Sequence, residues 1–284
     1  MQTFLPFEDF AESVASLDNP RLGKQRVETL QLLRASLMPS YGWQNHPVSV
    51  MWRGYRAGLT AYGLASVREW LARGHADSTA TLMAEFAPDA AELSQDELAG
   101  RGLLPPWLGD ENVHRSHRSN LIRKDAEYYT PKFPGTPGDL DYVWPGAPAS
   151  PPEQPEIPSL PTWVVRAESP DQLDAWREAG IVAVGERSPR GKETPAWRAQ
   201  VSEFVDFVVP GIEIGVLVGN SASVARATIV GEVDSLVADS AAYLTRTAEF
   251  TGEWARTDFA IPAALQNPRS VFRAPLSIRP ALTS

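Results

Sequence analysis

The sequence predicts a multidomain protein, all-α in its first half and α+β in its second. Three observations predict it. Residues 145–161, PGAPASPPEQPEIPSLP, place seven prolines in seventeen positions, a composition that makes a stiff, extended linker rather than a packed element. Before this stretch apolar residues recur at three- and four-residue steps. After it, short β-branched runs lie between Gly, Ser and Pro. The boundaries so drawn are 1–145, a linker over 146–160, and 161–284, two pieces of ordinary domain size.

In the first half, Leu22, Arg26, Leu30, Leu33 and Leu37 form the stripe of a helix opening after Leu17. The run VSVMWRGYRAGLTAYGLASVREWLARG carries Met51, Tyr55, Leu59, Tyr62 and Val67 at similar steps and stops at Gly74, a residue suited to a C-cap. A third helix follows PPWLGD, with Asp110 as its N-cap. In the second half TWVVRA, GIVAVGE, GVLVGN and RATIVGEV read as strands, with SPDQLDAWREAG as a helix between the first two. That makes a small α+β or barrel-like domain.

With 43% hydrophobic residues the chain can bury a real core, and with no cysteine it holds no disulfide and no cysteine-ligated zinc or iron–sulfur site. No apolar run is long enough to span a bilayer, and MQTFLPFEDF lacks the features of a secretion signal. A soluble, cytoplasmic protein without membrane partners is the expectation. The net charge of −9 opposes broad, non-specific binding to nucleic acid. Charge is uneven, however: cations gather at 21–26 and 115–124, acids at 85–97, and local patches are what meet phosphates.

The stretch LDNPRLGKQRVETLQLLR, residues 17–34, poses the functional question. Arg21, Lys24 and Glu28 share one helix face, whereas Arg26 falls on the apolar stripe and must find an anion, within the protein or outside it. A solvated face with an ion pair worth a few tenths of a kcal/mol (roughly 0.2–0.5) suits the spacing as well as a held carboxylate does. Lys preceding Glu by four is the less favourable order for such a pair. His114 and His117 form an H-x-x-H at helical spacing, but no third ligand accompanies them, so neither a metal nor another cofactor is expected. Structural or phosphate-facing roles beside Arg115 and Arg118 fit them better. His46, before Pro47, reads as a helix-entry residue, with a DNA contact as the alternative.

Three pieces, LDNPRLGKQRVETLQLL, HPVSVMWRGYRAGLTAYGLASVREWLARG and HRSHRSNLIRKDAEYYTPKF, occur in an order that resembles the pyrimidine-dimer DNA glycosylases of the phage endonuclease V type, over about residues 1–145. The resemblance implies an all-helical DNA-processing enzyme whose early helical glutamate is catalytic and whose neighbouring cations grip phosphates. Glu28 takes the first role. Arg21, Arg26, His46, Arg115, His117, Arg118, Tyr128 and Tyr129 form the implied DNA-contacting set. Glycosidic cleavage builds positive charge on the sugar, which a carboxylate stabilises. If an amine attacks the sugar carbon, a Schiff base forms and the carboxylate can shuttle protons. In that family the amine is the chain's own terminus, exposed by methionine removal. Here Met1 is followed by the bulky Gln2, so the amine is that of Met1, with Lys24 as the alternative and a purely hydrolytic glycosylase as another.

The second half, about residues 161–280, resembles PUA-like, EVE-related domains, through WVVRAESPDQLDAWREAGIVAVGE, GIEIGVLVGNSASVARATIVGEV and YLTRTAEFTGEWARTDFAIPAALQNPRSVFR. That likeness implies a small barrel that reads a flipped, modified base, here with Trp163, Glu186 and Tyr243 as the pocket. Glu186 stands where such domains commonly carry an aromatic residue. The whole reads as a DNA glycosylase, with AP-lyase activity if an amine is used, joined to a base-reading domain. The alternative is a non-catalytic binder of modified nucleic acid that keeps the glycosylase scaffold. The excised base and the oligomeric state are not encoded in any motif.

Overall fold

The computed structural model describes residues 1–38, 41–147, 158–189, 191–238 and 241–277. The chain divides into two units, Met1–Pro155 and Glu156–Ser284. Of the linker expected at 146–160, residues 148–157 lie outside the described residues, and 159–160 already belong to a strand. No helix among the described residues is long and apolar enough to cross a membrane.

The first unit is helical among its described residues: α1 (Phe10–Ala15), α2 (Asn19–Leu37), α3 (Pro47–Met51), α4 (Arg56–Ala72), α5 (Ala80–Ala84), α6 (Gln95–Gly100), α7 (Glu111–Lys124) and α8 (Ala126–Tyr129). Helix α2 starts where the Asp18 side chain accepts the Arg21 N–H at 2.9 Å and Pro20 fills the first turn. Its stripe buries Leu22, Leu30 and Leu33. The run expected as one helix from Val48 is two, α3 and α4, because Gly54 adopts a left-handed backbone (φ 86°) between them. Helix α4 crosses α2 closely. A Cβ on Gly63 would lie 2.6 Å from Met83 Sδ and 2.8 Å from Thr29 Cγ2, so only glycine permits the approach. Asp110 caps α7, accepting the Asn112 N–H at 2.9 Å.

The second unit contains β1 (Ser159–Ala167), α9 (Pro170–Ala179), β2 (Ile181–Gly185), α10 (Pro195–Phe207), β3 (Glu213–Val218), β4 (Ser223–Ala238), β5 (Ala241–Ala255) and β6 (Val271–Ser277). The strands make one mixed sheet in the order β2-β5-β4-β3-β1-β6, with only the β1–β3 pair parallel. Helices α9 and α10 bury Trp176, Trp197 and Phe204 into a core with Val165, Val182, Val184, Ile214, Val216, Ile229 and Val271. The α+β expectation agrees with this layout. The small barrel does not: the sheet is open, with β2 and β6 at its edges. A closed barrel would need those two edges to pair.

Candidate active site

The site begins with a buried segment that belongs to no helix or sheet. Residues 2–6 are buried, so their backbone groups need partners other than water. Side chains supply them. The Gln2 N–H donates to Glu28 Oε2 at 3.1 Å, and Gln25 Nε2 donates to the Gln2 carbonyl at 2.9 Å. Gln25 Oε1 accepts the Phe4 N–H at 2.8 Å, and the Tyr62 hydroxyl lies 2.8 Å from the Phe4 carbonyl. Trp52 Nε1 donates to Thr3 Oγ1 at 3.0 Å. His117 Nδ1 accepts the Leu5 N–H at 2.9 Å, while His114 Nδ1 lies 2.8 Å from the Leu5 carbonyl and its Nε2 accepts the Gly109 N–H. Arg118 Nη1 donates to the Pro6 carbonyl at 2.7 Å. The result is a buried segment held by side chains of α2, α4 and α7, with the Gln2 N–H delivered to Glu28.

Three of the residues in the expected DNA-contacting set are held inside the fold. The H-x-x-H pair takes the structural of its two expected roles and clamps the backbone of Leu5, with His117 fully buried. Arg26 finds its anion inside the fold, in Asp77, whose side chain is 2% exposed against 13% for the guanidinium, which also lies 4.4 Å over the Trp70 ring. Burial alone would raise the Asp77 carboxyl. The N–H groups of Thr79 and Ala80, the Thr79 hydroxyl and Arg26 outweigh it and hold the carboxyl below its ordinary value. Tyr129 is likewise buried, its hydroxyl accepting the Asp18 N–H at 3.1 Å at the start of α2. Among the described residues no cluster of His, Asp or Glu suited to a metal ion occurs.

Burial, with the charge of His114 adding to it, pushes His117 down from 6.5 to about 3. The folded pKa lies below the unfolded one, so the stability this neutral imidazole contributes is complete above about pH 6.5 and is lost as pH falls towards 3. The loss approaches about 1.4 kcal/mol per pH unit at its steepest. Replacing His117 by Gln leaves an acceptor for Leu5 and removes the titration. Urea unfolding at pH 6 and pH 4 should therefore show a smaller acid loss in the variant, and equal losses would rule His117 out as the source.

The charge of Glu28 reaches His46, which the sequence singled out, and Tyr142, which it did not. His46 accepts the Val48 N–H at Nδ1 and caps α3. Burial and the positive amino terminus lower its pKa, whereas Glu28 pulls it upward, so both charges act on this ring. Tyr142 stands at the same place, its phenol pushed up to about 12 by burial and, more weakly, by Glu28, with Gln2 and Arg123 opposing. It is held there by a strap that α7 binds with its polar stripe. Ser116 Oγ accepts the Val143 N–H, Ser119 Oγ accepts the Leu140 N–H, and Asn120 and Arg123 donate to the Leu140 carbonyl. The signal was present in sequence: polar residues at helical spacing in α7, then Leu140, Tyr142 and Trp144 at alternate positions of an extended tail.

Of the remaining expected site residues, Lys24 is exposed on α2, one turn before Glu28. Arg21 pairs with Asp18, lies 3.7 Å from Asp125 and donates to the Lys124 carbonyl at 3.1 Å. Arg118 pairs with Glu111. Arg115 and Tyr128 are exposed, and Lys132 Nζ sits 4.9 Å over the Tyr128 ring. Lys124, which sequence reasoning did not single out, is exposed and lies 5.9 Å over the Phe4 ring of the buried segment.

In the second unit the three expected pocket residues do not converge. Tyr243 lines a cavity of about 60 Å³ with Arg166, Gln172, Trp176 and Trp197. Trp163 instead stacks on Phe207 (5.7 Å, 13°) beneath Arg273, and the Glu186 side chain is exposed while its carbonyl accepts from Trp197 Nε1.

In the first unit a carboxylate on the first long helix meets the Gln2 backbone, with charge interactions reaching His46 and the half-buried Tyr142. The family model described as pyrimidine dimer DNA glycosylase matches residues 1–83, which include Glu28, His46 and Asp77, so the likeness read from the sequence is shown over that stretch. No curated protein and no solved structure matches the chain. The family-model match does not reach the second unit, so it does not show the PUA-like likeness.

Proposed function

We propose that the chain is a DNA glycosylase that releases a base from damaged DNA, with pyrimidine dimers as the first substrate to test. One observation carries the reading: the Gln2 nitrogen lies 3.1 Å from Glu28 Oε2, at the end of a segment whose backbone is tied down residue by residue. Such anchoring is costly to build and fixes a terminus beside a carboxylate, the pairing that amine attack on a sugar needs. In this scheme the neutral amine of Met1 attacks the sugar carbon and the base leaves with its bonding electrons, taking up a proton. The ammonium so formed on C1′ gives up a proton, and the nitrogen lone pair then makes the C1′=N bond of the Schiff base as the C1′–O4′ ring bond breaks and O4′ takes up a proton. Glu28 stabilises the positive charge on the sugar and carries protons between these steps. Elimination from the Schiff base then nicks the strand, the AP-lyase part of the proposal. The test is base release and strand scission, measured separately, on duplexes carrying a cyclobutane dimer and a panel of other lesions. No release from any of them by the intact chain would end the enzyme reading.

Phosphate contacts in this proposal fall to exposed cations near Glu28. Lys24→Ala and Lys124→Ala should each shallow the salt dependence of DNA binding by about one unit of log–log slope. Arg26→Ala should leave the slope alone and instead destabilise the fold, because Asp77 is left buried without its cation. A slope unchanged by both lysine variants would return them to an ordinary solvated face. The second unit is proposed to read a base through the cavity beside Tyr243, supported by its Trp176 and Trp197 walls.

A further inference from the structure

Trp43 lies in the turn between α2 and α3, 51% exposed, with φ at 74°. It is the one non-glycine residue with a positive φ among the described residues. A left-handed backbone is strained for any residue with a Cβ, and glycine would adopt it freely. The turn itself does not require an indole. Its bonds run to the Trp43 carbonyl, which accepts from His46 N–H at 3.1 Å and Ser49 Oγ at 2.6 Å. A large aromatic side chain is therefore kept at a strained position, half out of the protein, where packing explains little of it. Strain of this kind, retained at a surface, points to a use.

Its neighbours indicate what the use is. The Trp43 ring lies 5.5 Å from His46, His46 lies 6.0 Å from Trp144, and Trp144 lies 5.1 Å from Tyr142. This row of rings leads from solvent to the groups on which the Glu28 charge acts. A planar, exposed ring at the outer end of this row matches the π-face of a nucleobase, and stacking on an aromatic side chain replaces the stacking a base loses when it leaves the duplex. We propose that Trp43 is the stacking platform for an unpaired nucleobase displaced beside the sugar at which Glu28 acts. The proposal rests on reading the first unit as a DNA-processing site, and makes Trp43 a positioning residue rather than one that touches the reacting atoms.

The test compares two duplexes of equal length, one fully paired and one with a single unpaired base opposite an abasic-site analogue. Trp43→Leu keeps apolar bulk and removes the π-face. It should weaken binding to the unpaired-base duplex about tenfold while changing binding to the paired one less than twofold. Trp43→Tyr should retain most of the preference. Equal effects on both duplexes, or none, would overturn the proposal. Should Trp43→Leu fail to fold, the wild-type chain still decides the matter. 5-Iodouracil at the unpaired position should photo-crosslink to Trp43, and a crosslink mapped elsewhere would refute it. Base release by wild type and Trp43→Leu at one rate, with equal affinities, sinks the platform and spares the glycosylase reading. A Trp43-dependent preference without base release from any lesion does the reverse.

Discussion

Glu28→Gln is expected to abolish base release while leaving the fold and DNA affinity nearly unchanged. The amide keeps an oxygen where the carboxylate accepts the Gln2 N–H, so the buried N-terminal segment retains its anchor. What disappears is the negative charge that faces the developing cation on the sugar. Removal of one preorganised electrostatic stabiliser costs about 10²–10³ in kcat, roughly 2.7–4 kcal/mol, and that is the fall expected in single-turnover base release. Binding measured on the same duplex should stay within a few-fold, since Glu28 repels phosphate rather than holding it. Turnover at the wild-type rate would assign Glu28 to an ordinary helix face. Loss of folding instead would assign it to anchoring the terminus alone.

Extending the chain ahead of Met1 by two residues is the other large effect. The new terminus moves away from Glu28, while residues 2–6 stay buried and tied to Gln25, Tyr62, His114 and His117. Placing a nucleophile at its target is worth several orders of magnitude, so strand scission should drop by about 100-fold or more. Borohydride reduces the Schiff base before elimination, so the native chain should yield a covalent protein–DNA adduct that maps to Met1, and the extended chain should yield none. An adduct at Lys24 would move the nucleophile to α2. Base release with no adduct at all would make water the nucleophile and Glu28 its activator.

Much of the fold could be read directly. The α2 stripe, the Asp110 cap and the strands around Val165, Val184, Val216 and Ile229 follow from periodicity and turn chemistry, because neighbours in sequence dictate both. Helix α10 was also within reach, since Thr194, Pro195 and the Trp197, Val201, Phe204 steps mark it, yet it was not among the expected elements. The expected site was legible in part. Glu28 stands out by its setting among cations, and Arg26 by sitting on an apolar stripe, but which anion Arg26 meets depends on Asp77, 51 residues away.

By itself the sequence determined local matters: helices before the proline run, strands after it, the caps, and a carboxylate set among basic residues on the first long helix. Only the tertiary structure decided where the terminus goes. Leu5 is held by a histidine 112 positions later, and Phe4 by a glutamine 21 positions later. A buried backbone outside helix or sheet must borrow its partners from whatever side chains folding brings near, and no local pattern records that choice. For the same reason His117 and Tyr129, which look like surface contacts by composition, are interior anchors, while Tyr142 feels the carboxylate's charge and Trp43 packs on His46 without any motif to announce them. A hydrogen-bonding side chain reads alike in sequence whether it serves water, DNA or its own main chain. Burial makes the distinction, and burial is a property of the assembled fold.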